Sequence, residues 1–541
     1  MSLLPNLNIT FNQHKLDTKI YTIEILETRN ALNQIPEAHL VISGAEQGIY
    51  TLLSTTGPGC EVVIKRDIAG KSVTLFTGEV IEQDVVVDNK KAHLTFQIAH
   101  FLHRLCRTLH SMVFSAASDV DIIKTLLSAH GLSLSDSSGL TYRHEQLVQY
   151  QCSDWLFLLY RLHANNLWLT TSEDKDKVKL TLAKMPSGVV PAGRVLKRED
   201  SLQYAGIVNA RWQRRQPPFN SDITISHWDL KNQEMSTPPL KPAQLSFASG
   251  GLGDVVKTGD ACSARLNYAL ALEPDELQAR IDAMEAERQL TAQQIHFSVW
   301  GKEIYHPGDV VSVEGFHSSL DGKVVISEVR HRITAERWDT DLIAGLEASL
   351  RTVPALTPEI KGIQIGIVAE YENKADPKPW YRLPIKVPVF DNKRELWARI
   401  ALPHASDANS FGFYPNPGDE VIVAFMENDA RYPVILGAVH NPIKQMPTQF
   451  NNKTFKTTKY ITLGKGETQQ SLIFNTKENT LSLIRNKNTF LMKQDSIEIS
   501  AEEKISAVVK NKSSLLLKEN TLDVKGASSV VISSKKIDLK R

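Results

Sequence analysis

A histidine and a glutamate stand side by side at His144-Glu145, in the run HEQLV. Zinc proteases place a second histidine four residues after the first, so that both ligate the metal while the glutamate acts as general base. Here that position is Val148. His144-Glu145 therefore reads as a surface pair. The run AGKS at Ala69–Ser72 has the ending of a phosphate loop, but the position five before Gly70 is Lys65 and the flanks alternate like strands. It reads as a hairpin turn. No Gly-x-Ser-x-Gly elbow occurs, and no acidic spacing marks a glycosidase pair. The 16 histidines do not cluster. Cys60, Cys106, Cys152 and Cys262 lie far apart and read as buried free thiols rather than as a zinc site or disulfide frame. The expectation is a protein that is not an enzyme, with no catalytic, metal or cofactor-binding residue.

The totals are those of an ordinary soluble protein. A chain of 541 residues implies several domains. With 42% hydrophobic residues, 23% charged residues and a net charge of +1, no nucleic-acid partner is expected. The beginning, MSLLPNLNITFNQHK, has no cationic stretch followed by a long apolar core. Synthesis in the cytosol without a signal peptide is expected. The longest apolar run, WLFLLY from Trp155, is far short of the ~20 residues that span a bilayer.

Most of the chain alternates with a period of two. From Ile20 to Phe101, runs such as SVTLFTGEVIEQDVVV predict strands. Three helices interrupt the pattern. Ser118 caps the first, with Asp121 three residues on and Gly131 ending it. The second covers Ser153–Ala164, with Trp155, Leu158, Leu159 and Leu162 on its apolar side; the third covers Glu273–Leu290, with Pro274 in its first turn. A Pro-containing linker is expected at 349–362, after a first domain at 1–348. From 363 to 445 short strands fit a small closed barrel of the OB type.

The ending, 446–541, carries no helix signal. NKNTFLMKQDSIEIS from Asn486 returns as NKSSLLLKENTLDVK from Asn511 and, less faithfully, as SSVVISSKKIDLK from Ser528. Leu481 and Leu483, Ile497 and Ile499, Leu522 and Val524, and Ile537 and Leu539 each flank a polar residue, so each pair lies on one side of a strand. One chain would leave that side bare and its strand edges open. The expected solution is an intertwined oligomer with apolar sides inward. Lys493, Lys510, Lys518, Lys525 and Lys535 fall on the wet side or in turns and keep edges soluble.

Upstream, FGFYPNPGDEVIVAFMENDARYPVILGAVHNP from Phe411 to Pro442 resembles the OB signature of VgrG-like central spike proteins of contractile injection systems. The matching residues are Pro415, Gly418, Glu420, Val421, Val423, Phe425, Asp429, Arg431, Pro433, Ile435, Gly437, Val439 and Asn441. Gln149, Tyr150, Ser153, Asp154, Phe157, Arg161 and Leu162 resemble a hub helix of the same family, with Cys152 where the family has an acidic residue. PGDVVSVEGF and LDGKVVISEVRHRI resemble its closing hub strands. The resemblance implies a mainly β, multidomain chain: a hub of two β-barrel subdomains with helices, an OB-fold domain, and a C-terminal triangular β-prism spike.

It further implies a homotrimer that joins tail tube and baseplate to a membrane-piercing tip. The tip would carry a PAAR-repeat protein docked on Ile537, Leu539, Lys540 and Arg541. The compact length and lack of an effector extension resemble the antifeeding-prophage type of extracellular particle. The alternatives are a type VI secretion spike, a contractile-phage tail spike with wall-degrading activity, and a secreted adhesin with a one-chain β-solenoid stalk.

Overall fold

The computed structural model of the chain describes residues 7–68, 71–88, 91–174, 177–184, 194–198, 205–216, 222–241, 263–301, 303–347, 356–391, 393–509, 513–518, 521–526, 528–531 and 533. It divides into two compact units, Met1–Val439 and His440–Arg541.

In the first unit 13 strands form one large sheet. Six of its strands close on themselves. The order runs Val310–Glu314, Arg194–Lys197, Ala205–Arg214, Gln293–Trp300, Trp338–Ala344, Gly322–Thr334 and back to Val310–Glu314. Leu196, Phe297, Val311, Val313, Ile326 and Leu342 fill this barrel. The other strands curl around a second core built on Leu26, Leu40, Ile42, Phe96 and Ile98. The two halves meet where Thr22–Ala31 pairs with Gly322–Thr334, Arg29 opposite Arg330. Alternation along Glu37–Ala45 is strict, with Ala38, Leu40 and Ile42 buried between more exposed neighbours. Period two thus became a sheet with one face inward.

The helices follow their capping residues. Asp119–Ala129 begins at Ser118, whose hydroxyl accepts from Asp121 N while the Asp121 carboxylate accepts from Ser118 N. Asp154–Ala164 is capped by Ser153, and Pro274–Ala292 starts on its proline. A further helix, Glu46–Thr55, has no side-chain cap. Lys71 pairs with Ile68 in a hairpin around AGKS, whose turn residues lie outside the described set.

Five short strands form a closed barrel: Gln364–Val368, Leu383–Lys386, Leu396–Ile400, Glu420–Phe425 and Pro433–Val439. The parallel pairing of Arg399 with Val434 closes it, which is the OB arrangement. Gly418 turns into the fourth strand at φ 81°. This barrel does not stand apart from the hub. Val113 and Val148 of the hub share a core with Ile385, Leu396, Val421, Val423 and Ile435. The described part of the 349–362 stretch is packed rather than loose: Leu356, Thr357 and Ile360 are buried.

The second unit holds two antiparallel meanders. One has five strands, Thr458–Leu463, Gln470–Asn475, Thr480–Arg485, Asn488–Met492 and Ile497–Ser500; the other has three, Lys504–Val509, Ser513–Lys518 and Thr521–Lys525. Each strand pairs with its neighbour in sequence.

Candidate functional site

Cross-strand register decides what the second unit shows to its surroundings. Ile461 lies opposite Leu472, Leu472 opposite Leu483, Leu483 opposite Phe490, and Phe490 opposite Ile499. One apolar row thus crosses all five strands. Two residues along runs a parallel row, Phe474, Leu481, Met492 and Ile497, on the same side because side chains alternate. Leu483, Ile497 and Ile499 are 50%, 61% and 56% exposed. The row lines an open trough of about 770 Å³ together with Leu463, Gln470 and Arg485.

The opposite side differs. Tyr460, Ile473, Ser482, Leu491 and Glu498 form one row there, and Thr462, Ser471, Ile484, Thr489 and Ser500 another. Phe450, itself buried, stacks on Tyr460 with ring centroids 3.4 Å apart. Lys493 pairs with Glu498 at 2.5 Å on this wet side. One face therefore mixes polar residues with Tyr460, Ile473, Ile484 and Leu491 and is partly covered by Phe450, while the other carries the two apolar rows, flanked by Lys459, Gln470 and Arg485, and is bare.

The three-stranded meander repeats the design. Ile505, Leu517 and Leu522 form one row and Ala507, Leu515 and Val524 the next, on one side. Leu522 is 63% exposed.

Leu481, Leu483, Ile497 and Ile499 thus share one face, and Leu522 and Val524 share the corresponding face of the second sheet. Ile537, Leu539, Lys540 and Arg541 lie outside the described residues, as do Lys510 and Lys535. Sequence reading missed Ile461, Leu472, Phe474, Phe490 and Met492. The signal was present in the apolar triplets: the outer two of Phe490-Leu491-Met492 share the bare face, while Leu491 points to the other.

Arg161, Asp154, Asp429 and Arg431, which carry part of the sequence resemblance, are positioned by buried charges. Arg161 is fully buried and donates through Nε to Asp119 at 2.5 Å and through Nη1 to Leu356 O at 2.6 Å. Burial alone would raise the Asp119 pKa; the Arg161 guanidinium and His144 outweigh it and hold the carboxyl far below its ordinary range. Asp154 accepts from Gln149 Nε2 at 2.9 Å and lies 3.0 Å from His130 Nε2.

His144-Glu145 is not the surface pair its sequence suggests. His144 is buried 2.8 Å from Asp119, and Glu145 accepts from Arg382 Nη2 at 2.6 Å. Partners from other segments cover both: Asp119 and Arg161 enclose His144, and Arg382 holds the half-buried Glu145.

Arg431 ties the small barrel to the hub. It donates to Asp429 at 2.7 Å and to Glu276, on the helix Pro274–Ala292, at 2.5 Å. Burial opposes its charge, yet Asp429 and Glu276 raise its pKa well above the ordinary value. Gln146 adds a neutral clamp, donating to Arg431 O at 2.6 Å and accepting from Trp397 N at 2.8 Å.

Cys60 and Cys152 are buried and Cys106 is half-buried, all as free thiols; Cys262 lies outside the described residues. Burial pushes Cys152 up to about 11, so the thiolate is scarce at neutral pH. Among the described residues no cluster of histidine, cysteine, aspartate or glutamate could hold a metal ion.

Residues 2–335 match the family described as the Alg8 N-terminal domain. Residues 364–440 match the type VI secretion system/phage-baseplate injector OB domain. No curated protein sequence matches the chain. Among solved structures, the chain is similar to the E. coli c3393 protein, described as a type VI secretion component with structural similarity to the T4 bacteriophage tail proteins gp27 and gp5. The identity is 14%, the TM-score 0.53, and 80% of this chain and 99% of that one are covered. It is also similar to a chain of the Francisella PdpA-VgrG complex in its lidded form, at 12% identity and TM-score 0.60, covering 91% of this chain and 79% of that one. The half-lidded form gives 11% identity and TM-score 0.58, covering 92% and 89%. The likeness is one of fold: that of VgrG-like spike and phage hub proteins.

Proposed function

Starting from the family to which the chain belongs through residues 2–335, the one described as the Alg8 N-terminal domain, we propose that it is the trimeric central spike and hub of a contractile injection machine. The observation that carries this is the bare apolar face from Ile461 to Ile499. Burying one Leu or Ile gains about 1.5–3 kcal/mol, and this face holds many. Three chains wound about one axis bury all three faces at once and pair every strand edge.

In this reading the hub and OB barrel join tail tube and baseplate. The C-terminal prism is the shaft that meets the target-cell membrane. A PAAR-repeat protein docks at its end on Ile537, Leu539, Lys540 and Arg541. The work is mechanical: a closed prism is stiff because its backbone groups are satisfied, and no catalytic step is required. The chain is made in the bacterial cytoplasm and leaves the cell within a particle of the antifeeding-prophage type. The fold likeness to c3393 and the PdpA-VgrG complex favours one other setting for the same part, a type VI secretion spike.

The deciding measurement is the mass of the purified chain by light scattering at micromolar concentration. A trimer that persists on dilution supports the proposal. A folded monomer overturns it and favours a one-chain stalk.

A further inference from the structure

A cavity of about 40 Å³ lies in the hub where the two halves of the large sheet meet. Thr28, Arg29, His100, Thr171, His306 and His331 help to line it, and no Asp or Glu is among its described lining residues. His100 follows the strand Lys91–Ala99 of one half, and His331 lies in Gly322–Thr334 of the other. The two histidines are 1% and 5% exposed. Their hydrogen bonds fix where the ring protons sit. Leu102 N donates to His100 Nδ1 at 3.2 Å, and Trp338 Nε1 donates to His331 Nδ1 at 3.3 Å. Backbone and indole N–H groups only donate, so both Nδ1 atoms are acceptors and each neutral ring carries its proton on Nε2. Among the described residues His100 Nε2 has no partner, and a buried N–H left unpaired is costly. Arg29 donates to Glu328 through Nε at 2.7 Å and Nη2 at 3.2 Å, which leaves Nη1 as a further donor. The Arg66 guanidinium, stacked 3.4 Å from the Trp338 ring centroid, also acts on His331.

We propose that this cavity is a binding site for a single halide ion, chloride above all, held by the Nε2–H groups of His100 and His331 with Arg29 beside it. Three features argue for that ligand. The fixed ring groups are donors, so the ligand must accept. The lining holds a guanidinium and no described carboxylate, so a negative acceptor suits it. A water molecule takes up about 30 Å³ in the liquid, so the space admits one atom-sized ion and excludes sulfate, phosphate and carboxylates. An anion leaves water only where N–H groups replace its hydration shell, and here they come from both halves of the sheet. The bound ion pins the seam. The inference is independent of how many chains build the spike.

The test uses the full wild-type chain. Crystals grown in sodium bromide are measured at the bromine absorption edge. Urea unfolding is compared in chloride and in gluconate, which is too large for the cavity, at equal ionic strength. The expected result is an anomalous peak in the cavity, within hydrogen-bond reach of His100 Nε2, and a higher urea midpoint in chloride, because a ligand of the folded state alone stabilises it. Salts also act on unfolding in general, so the same comparison is made on His100→Leu, where the gain in chloride should be lost. Water in place of bromide, or no peak, overturns the inference. A peak with no gain in the wild-type midpoint is binding at crystal concentration only and overturns it as well. So does an equal gain in the wild type and in a folded His100→Leu. If His100→Leu does not fold, the peak and the wild-type midpoints decide.

Discussion

Arg431 and Glu276 meet at 2.5 Å although 155 residues separate them in the chain. Both are buried, so the small barrel is fastened to the hub through a desolvated ion pair that also includes Asp429. Removing one partner of such a pair leaves a charge without compensation. Glu276→Ala should lower the stability of the Met1–Val439 unit by about 3–5 kcal/mol. Lys374→Ala, which breaks the half-exposed pair with Glu395, should cost under about 1 kcal/mol. Urea unfolding of both variants measures the difference.

In the tail, Ile499→Asp should block trimer assembly, whereas Glu498→Lys should leave it largely intact. Ile499 stands in the bare row opposite Phe490, and Glu498 lies on the other side, paired with Lys493. Burying an unpaired carboxylate is far costlier than losing a surface pair worth at most about 1 kcal/mol. Equal trimer yields from the two variants, read by size-exclusion chromatography with light scattering, would show that the bare row is not the interface.

Acid should loosen the hub. His100 and His331 line a polar cavity of about 40 Å³ where the two halves of the large sheet meet. Burial lowers His100 to about 4; burial, His306 and Arg66 lower His331 to about 4. His306 is lowered as well, with Asp309 opposing, and the nearby Arg29 is held by Glu328. Between pH 6.5 and 4 the unfolded chain binds protons at these imidazoles and the folded chain does not. Stability therefore falls as pH drops through that window, by on the order of 3 kcal/mol per imidazole. His100→Gln with His331→Gln should flatten the dependence of the urea midpoint over the same range.

The tip partner should need the last repeat. A PAAR-repeat protein is expected to bind the intact trimer and to lose at least about tenfold in affinity when the chain is truncated after Lys525. Equal affinity for both forms, measured by calorimetry, places the partner elsewhere.

Purified cell wall should be left uncut. Release of sugar or peptide at a steady rate, abolished by a single acidic substitution, would assign the chain an activity that none of its sequence patterns announces.

Much of this architecture is legible in the residues because it depends on short-range rules. Ser118 and Asp121 mark a helix start three residues apart, Pro417-Gly418-Asp419 marks a turn, and alternation in the tail assigns Leu483 and Ile499 to one side. What stays hidden depends on partners far away in the chain. Glu46–Thr55 has no side-chain cap and carries Gly48, so nothing local announces a helix. His144, Glu145, Glu276 and Asp119 look like surface residues because charge usually seeks water. Only the fold supplies the arginines that pair with Asp119, Glu145 and Glu276. The pairing of Ile365 with Ile422 was equally hidden, since their strands are distant in sequence.

The pairing of Thr22–Ala31 with Gly322–Thr334 also sets a clock on synthesis. Arg29 cannot meet Glu328 until 299 further residues have left the ribosome. At bacterial or eukaryotic speeds of about 5–20 residues per second that is roughly 15–60 s. Throughout that wait the first strands stand with one edge unfilled, while within each tail meander every strand after the first finds a partner in the strand just before it. The amino-terminal half of the hub is thus the part of the newborn chain that waits longest for a strand of its own chain.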